Sequence, residues 1–506
     1  MVSTKGEKTM KRLVSVIAIV LPITASLLAQ TGPSQLAGER TSVDLTVYNS
    51  NLALVREERT MNLAKGFNRV VVPDIPTTID GTSLHFSSLT DASAVRVLEQ
   101  NFQYDLVHHA KLMEKYIGKD VEFVRLDEET KKEYTVRGKL LATGWQTQPG
   151  SNQYYFGGQM IAEVNGKIEI GPSGRLVLPS LPEGLILKPQ LEWLVTNSRQ
   201  GEHKTEISYL ANQLSWSCNY VVLLSAEDTK ADLTGWVTLK NNSGTTFRNA
   251  GLKLVAGDVN IVQEPEYAYG ALAMKSRVAD QAPQFTQKEL FEYKLYTLQR
   301  RTDLADNETK QIELTTARNA QAHKIFVYDG LGTSWRGWYN NYSYREQGSF
   351  GQQSNTKVGV YVTLKNDEKA GLGIPLPKGK VRVYKRDDDG KEQFIGEDEI
   401  DHTPKDEEIR LYLGNAFDIV GSRAQTNFKT IVSGHVYDET FEIKVRNHKK
   451  EDVEVAIYEH PWRWNEWDVT TSTAKWEKVD QTTLKIPVTI KSDEEKVVRY
   501  TIRYSW

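Results

Sequence analysis

The sequence predicts a mainly β protein made of several modules, with immunoglobulin-like β-sandwiches in the C-terminal half. Apolar and polar residues alternate through most of the chain, as in "SVDLTVYNSNLALVREERTMNLAKGFNRVVVPDI" at 42–75, and this period of two is typical of strands with one buried face. Asp389 and Gly390 lie between two such runs, where glycine accepts the positive φ that tight hairpin turns need. Only "HHAKLMEKYIG", at 108–118, has helical spacing, with Leu112, Met113 and Tyr116 on one face.

Residues 1–29 have the pattern of a secretory signal peptide. Lys11 and Arg12 precede an apolar run that starts at Leu13, and Ala29 stands before a polar segment. An uncleaved anchor is the alternative, although the run is shorter than the roughly 20 residues that span a bilayer comfortably. We therefore expect an exported protein, periplasmic or secreted, with no membrane span after cleavage of the signal.

Cys218 is the only cysteine in the chain. An exported protein that relied on disulfides would carry several, so we expect this one to be stabilised by burial alone. A period of two places Cys218 on the same strand face as Trp216 and Tyr220. Burial between aromatic rings raises a thiol pKa and suppresses the thiolate, so we interpret Cys218 as a packing residue and not as a nucleophile.

Three strand-like segments repeat one pattern, an alternating run that ends in asparagine and is followed by a polar loop. Asn241, Asn366 and Asn447 occupy the matching positions. Each run can cover one sheet face, and stacking two such faces predicts a β-sandwich. The alternative is three unrelated strands that share common turn chemistry. The predicted inward residues are Leu233, Val237 and Leu239, then Val358, Val360, Val362 and Leu364, then Phe441, Ile443 and Val445.

The coarse organisation follows from these patterns. After the signal peptide we expect an N-terminal β module at 38–110, and then a small sheet or barrel with one short helix at 111–187. A first β-sandwich is expected at 188–318, interrupted at 264–284 by a segment without strand period, which we interpret as a mobile insert. A C-terminal β-sandwich is expected at 319–506. The last strand of that sandwich, "KVVRYTIRYSW", should bury Tyr500, Ile502 and Tyr504.

Several segments of the chain resemble a known family. The block "SYLANQLSWSCNYVVLLSAEDTKADLTGWVTLKNNSGTTFRNAGLKLVAGDVN" at 208–260, with "VRVYKRDDDGKEQFIGEDEIDHTPKDEEIRLYLGNAFDIVG" at 381–421 and "FEIKVRNHKKEDVEVAIYEH" at 441–460, is similar to a bacterial secreted family, domain of unknown function 4139. The resemblance extends from about residue 40 to the C-terminus. It implies an exported, β-rich protein with no established catalytic residues. Relatives described as mucoidy-inhibitor-like carry a long coiled coil, and this sequence has no sustained heptad repeat.

The sequence lacks the residue patterns that metal, cofactor or nucleic-acid binding requires. His108 and His109 are adjacent, so on a helix they lie about 100° apart and cannot ligate one ion from one face. The "KRDDDGKE" turn has Lys385 where the first carboxylate of a calcium loop should stand. A net charge of −3 without a basic tract argues against a nucleic-acid partner. The sequence therefore predicts no metal, no cofactor and no catalytic residue.

Two aromatic clusters are the candidate ligand-binding residues. The segment at 332–355 mixes its rings with glycine, serine and asparagine, the composition of an exposed and adaptable loop. The second cluster is "HPWRWNEWDV". Aromatic rings beside amides and carboxylates suit stacking on sugars or gripping a protein, while packing at the end of the last sandwich is the structural alternative. The candidates are Trp335, Trp338, Tyr339 and Tyr342 in the first cluster, and Trp462, Trp464 and Trp467 in the second.

The function that these observations favour is an exported, non-catalytic β-sandwich protein that binds a glycan or protein partner at the cell envelope. One alternative is a hydrolase of envelope polymers, whose acid pair only the fold would assemble. Another alternative is an outer-membrane β-barrel, because the C-terminal segment alternates and ends in Trp506. The many charged residues beside the strands favour the soluble sandwich over the barrel.

Overall fold

The computed structural model describes residues 34–506 except 104–105, 148–153, 183, 258–284, 291–292, 340, 342, 344–353 and 388. The predicted signal peptide and the predicted mobile insert at 264–284 lie outside the described residues. The chain forms two compact units. Unit 1 comprises the described residues within Met1–Thr41, Glu57–Thr77 and Leu84–Ser208, and unit 2 comprises those within Ser42–Arg56, Thr78–Ser83 and Tyr209–Trp506.

Strands dominate the described residues, so the prediction of a mainly β protein is confirmed, while its immunoglobulin-like detail and module boundaries stay predictions. The first strands are β1 (Gln35–Leu36), β2 (Arg40–Tyr48), β3 (Leu52–Leu63), β4 (Gly66–Pro73), β5 (Ile79–Ser88) and β6 (Val95–Gln103). Helix α1 (His109–Lys115) precedes β7 (Asp120–Leu126), β8 (Glu133–Ala142), β9 (Trp145–Thr147), β10 (Tyr154–Phe156), β11 (Ile161–Val164), β12 (Lys167–Ile170), β13 (Arg175–Val177) and β14 (Gln190–Asn197).

The remaining elements begin near residue 200. They are β15 (Gly201–Asn212), β16 (Leu214–Leu224), β17 (Lys230–Asn241), β18 (Phe247–Ala256), β19 (Phe285–Leu290), β20 (Tyr293–Leu298), β21 (Thr302–Leu304), β22 (Glu308–Asp329), β23 (Lys357–Lys365), β24 (Gly379–Arg386), β25 (Glu392–Ile400), β26 (Glu408–Val432), β27 (Val436–Asn447), β28 (Val453–Glu459), β29 (Trp467–Ser472), β30 (Glu477–Asp480), β31 (Thr483–Ile490) and β32 (Glu495–Ser505). Two 3-10 helices span Ser334–Gly337 and Glu368–Ala370. In the described part of the chain, no helix combines the length and hydropathy that a membrane crossing requires.

Unit 1 contains two main sheets. One has the order β1-β4-β14-β6, with β14 antiparallel to both neighbours. The other is antiparallel, in the order β12-β11-β8-β7-β13. Its core receives Met113 and Tyr116 from the helical segment, as the sequence predicts, together with Phe123 and Leu140. His108 caps the helix by accepting a hydrogen bond from the Lys111 amide.

Unit 2 is dominated by a 13-stranded sheet with the main order β25-β24-β16-β17-β22-β23-β26-β27-β32-β29. Off this path, β28 pairs in parallel with β22 and antiparallel with β31. Strand β22 is 22 residues long and contains Asn319 at a positive φ of 55°, close to the predicted module boundary at 318/319. Its first half pairs with β17 and its second half with β23 and β28. The other strands of unit 2 include β18, which pairs in parallel with β2.

The buried face of the second half of this sheet comes from the alternation that the sequence shows. Strand β32 buries Val498, Tyr500, Ile502 and Tyr504, so the prediction for the C-terminal strand is confirmed. The hairpin prediction is also confirmed, because β24 and β25 are antiparallel neighbours and Gly390 has a φ of 77°. Around β32 the core comprises Phe326, Tyr328, Val358, Ile419, Phe441, Ile443, Val445, Val453, Val455, Ile457, Trp467, Leu484, Ile486, Val488 and Ile490.

Cys218 lies in β16 with 1% of its surface exposed, alongside buried Trp216 and Tyr220. Burial raises the pKa of its thiol to about 12, so almost no thiolate forms at neutral pH. The interpretation of Cys218 as a packing residue is confirmed.

The three repeated asparagines are all buried and perform the same task. The Asn447 amide donates to the carbonyls of Glu451 (2.8 Å) and Lys491 (3.0 Å). Asn241 and Asn366 likewise donate to backbone carbonyls of their own loop and of a second chain segment. Because a buried carbonyl without a donor is costly, each asparagine holds two loops together at the end of its strand.

Candidate functional site

Two segments of unit 2 that are distant in sequence lie against each other at one edge of the sheet. One follows β22 and the other follows β28, and these strands are parallel neighbours with Asp329 opposite Tyr458. The carboxyl ends of parallel strands meet at the same edge, so both segments leave the sheet together. The first turns at once because the Asp329 carboxylate accepts hydrogen bonds from the amides of Leu331 (3.0 Å) and Gly332 (2.7 Å).

The principal contact between the segments is a stack of Trp335 on His460. The ring centroids are 4.6 Å apart and the planes differ by 12°. His460 is fixed from both sides, since Nε2 lies 3.3 Å from the Asp329 carboxylate and Nδ1 lies 3.1 Å from the Thr482 carbonyl. Burial opposes protonation of this imidazole, but the hydrogen bond and charge of Asp329 raise its pKa overall.

A second aromatic contact joins the two predicted clusters. Trp338 meets Trp462 edge to face at 5.8 Å, and Tyr339 meets Trp335 in the same manner at 5.9 Å. Trp462 is buried, whereas Trp335, Trp338 and Tyr339 are half-buried. These three residues are called the aromatic platform below. They present part of each ring to solvent while the other part rests on fixed residues.

Glu459, the residue before His460, forms a buried ion pair with Arg423. The guanidinium Nε donates to the two carboxylate oxygens at 2.9 and 2.8 Å, and Tyr500 donates to the same carboxylate. Arg423 also lies 3.8 Å from the centroid of the Phe441 ring. Burial opposes the charged guanidinium, yet the Glu459 carboxylate raises the pKa of Arg423 overall.

A second buried pair, Arg463 and Glu439, lies close to the first. The guanidinium donates to the carboxylate at 3.0 and 2.8 Å, and both side chains are fully buried. Arg463 packs against the rings of Trp462 (4.3 Å) and Phe428 (4.8 Å). Glu459 is the last residue of β28 and Arg463 lies in the segment that follows, so the two pairs fix the part of the chain that carries His460 and Trp462.

The structure places the other candidate residues differently. Trp464 is half-buried, with its ring 6.3 Å from that of Trp506. Trp467 is 8% exposed, and its indole donates to the Gln481 carbonyl at 2.7 Å while Lys478 lies over its ring. Both therefore contribute mainly to packing in this arrangement. Tyr342 lies outside the described residues.

Sequence reasoning missed the supporting residues Asp329, Arg423, Glu459, His460 and Arg463. A signal was present, because alternation along β28 places Ile457 and Glu459 on the buried face. A carboxylate at a buried position requires a cation or hydrogen-bond donors. The identity of that partner depends on tertiary structure and could not be read from the sequence.

The two buried glutamates of the site are closed to solvent. Glu439 and Glu459 are each bonded to an arginine and are at most 1% exposed, so a substrate cannot reach either carboxylate in this conformation. Within the described residues, no group of three or more histidine, cysteine, aspartate or glutamate side chains is arranged to hold a metal ion. What the site offers chemically is a set of fixed, partly exposed aromatic rings.

No protein-family model matches the chain, and a search of the curated proteins finds no match. The resemblance to the family of domain of unknown function 4139 therefore stays a prediction.

Proposed function

We propose that the protein is an exported, non-catalytic β protein that binds a glycan or protein partner at the cell envelope through the aromatic platform. The observation that carries this proposal is the stack of Trp335 on His460, which is itself bonded to Asp329 and Thr482. The three rings of the platform are half-buried, so part of each ring stays accessible beside these fixed residues.

Rigidity is what makes such rings useful for binding. Ordering a flexible side chain on binding costs about 0.5–1.5 kcal/mol, and a ring that is already fixed avoids most of that cost. Tryptophan and tyrosine also provide large contact areas and dominate binding energy at interfaces. The platform therefore suits a ligand with a flat apolar face, such as a pyranose ring, or an apolar side chain of a partner protein.

Binding to envelope material tests the proposal. Purified protein is sedimented with insoluble peptidoglycan and with exopolysaccharide, and is also cross-linked in an envelope protein extract. Trp335→Ala and Trp338→Ala should each reduce retention about tenfold, the loss expected for one central aromatic contact. Tyr155→Ala removes a half-exposed tyrosine of unit 1 and should leave binding unchanged. Wild-type retention by both platform variants would contradict the proposed site, and release of soluble sugar fragments would contradict its non-catalytic character.

A further inference from the structure

A second group of rings lies on the outer face of the same sheet, next to the platform. Tyr361 of β23 stands opposite Tyr412 of β26 in the strand register, and their ring centroids are 5.2 Å apart. Arg410 lies over the Tyr361 ring at 4.3 Å and is 5.9 Å from the Tyr458 ring. These four residues are called the tyrosine face.

The tyrosine face is linked to the platform through the β22–β28 strand pair. Tyr458 stands opposite Asp329, which bonds His460, and His460 carries the stacked Trp335. Tyr458 lies in β28, and His460 directly follows Glu459, the last residue of that strand. The rings and the guanidinium form a track along the sheet, and such a track fits an extended chain better than a compact ligand.

Arg410 gives the track a charge preference. Its side chain is exposed, and within the described residues it makes no ion pair or hydrogen bond. The carboxylates nearby are engaged elsewhere: Asp329 with His460, Asp398 with the Tyr412 amide (2.7 Å), and Glu477 with Lys485 (2.5 Å). The planar fork of a guanidinium matches the geometry of a carboxylate, so the exposed Arg410 suits a planar anion.

We propose that the tyrosine face and the platform together bind an acidic polysaccharide, with Arg410 pairing with a sugar carboxylate. The inference rests on the proposed function and names its ligand class. An acidic glycan is favoured over an acidic protein because the rings lie in a row on an open sheet face. Sugar rings along one chain can stack on them in turn, whereas a globular partner would require a broader complementary surface.

The test is a titration of the whole protein with polygalacturonate and with its fully methyl-esterified form, which has the same backbone without the charge. Wild type should bind the acid form more tightly, and added salt should reduce the difference. Arg410→Ala should weaken binding of the acid form about tenfold, the value of one charge-assisted bond, and leave the ester unchanged. Arg410→Lys should retain only part of the wild-type affinity for the acid form, because lysine lacks the planar guanidinium group. Arg446→Ala is the control, since Arg446 is exposed on β27 of the same sheet.

Two results would overturn the inference. One is equal affinity of wild type for the two polymers, and the other is an Arg410→Ala variant that keeps the full preference for the acid form. The proposed function fails separately, when Trp335→Ala binds envelope material as wild type does. If wild type binds a neutral glycan or a protein through Trp335 but does not bind polygalacturonate, the proposed function stands and the acidic ligand is wrong.

Discussion

The strand ends at Asn241, Asn366 and Asn447 are closed by a neutral amide, whereas the end of β28 is closed by two buried ion pairs. Each asparagine satisfies backbone carbonyls with one short side chain and forms no part of a ligand surface. The Arg423–Glu459 and Arg463–Glu439 pairs instead fix the segment that contacts the half-buried aromatic platform. Buried asparagine amides therefore stabilise the strand ends of the sheet, whereas buried ion pairs stabilise the segment beside the partly exposed rings.

The difference has a physical reason. A buried asparagine amide needs only backbone carbonyls as hydrogen-bond acceptors. Every strand end supplies such carbonyls, so the same interaction can recur along the chain. A buried ion pair carries a large desolvation cost and is seldom the cheapest source of stability. We infer that the pairs are present because they fix the segment after β28 in one conformation, and that the asparagines serve the scaffold alone.

The largest expected effect comes from breaking one ion pair. Arg423→Ala leaves the Glu459 carboxylate buried and without its cation, which should lower the free energy of unfolding by about 3–5 kcal/mol. Urea unfolding followed by far-UV circular dichroism measures the loss. The Arg423→Met, Glu459→Gln double variant removes both charges and should recover a large part of it. If the double variant is as unstable as the single one, the charges themselves are not the source of the effect.

A smaller effect is expected at the repeated strand ends. Asn447→Ala removes the donor to buried carbonyls and should cost about 1–3 kcal/mol in urea unfolding. Asn241→Ala should cost a similar amount and leave ligand binding unchanged. Asn415→Ala, at an exposed position of β26, serves as the control. A neutral result at either Asn241 or Asn447 would show that the repeat is not a shared stabilising device.

The smallest effect concerns pH. The His460 pKa is raised in the folded protein: burial opposes protonation, but Asp329 and, to a lesser degree, Glu459 favour the imidazolium. Protonation of the His460 imidazole therefore stabilises the folded state. This contribution is fully present below the unfolded pKa of about 6.5 and is lost as the pH rises through the raised folded value. The urea midpoint should fall over that window.

His460→Gln should flatten this pH dependence, because glutamine does not titrate. His323→Gln changes an exposed histidine on β22, the strand that carries Asp329, and should preserve the wild-type profile. Asp329→Asn should also flatten the profile, since it removes the charge that favours the imidazolium. A His460→Gln profile identical to that of wild type would show that the stacked imidazole does not titrate in this range.

The sequence predicted the parts of the fold that depend on local alternation. A period of two, which any buried strand face imposes, predicts that Cys218 and the inward residues of β32 are buried. It also locates the strand ends at the repeated asparagines. The meeting of the two aromatic clusters does not follow from it. Asp329 and His460 are 131 residues apart, and they meet because β22 and β28 pair in parallel, a relation that no local pattern records.

Footprinting of the platform tests the central claim most directly. Hydroxyl-radical labelling is read residue by residue by mass spectrometry, with and without saturating envelope polysaccharide. We predict that the ligand protects Trp335, Trp338 and Tyr339, while labelling of Trp464 and of Tyr155 in unit 1 stays unchanged. Protection confined to residues outside the platform, or unchanged labelling of the platform when ligand is bound, would contradict the account.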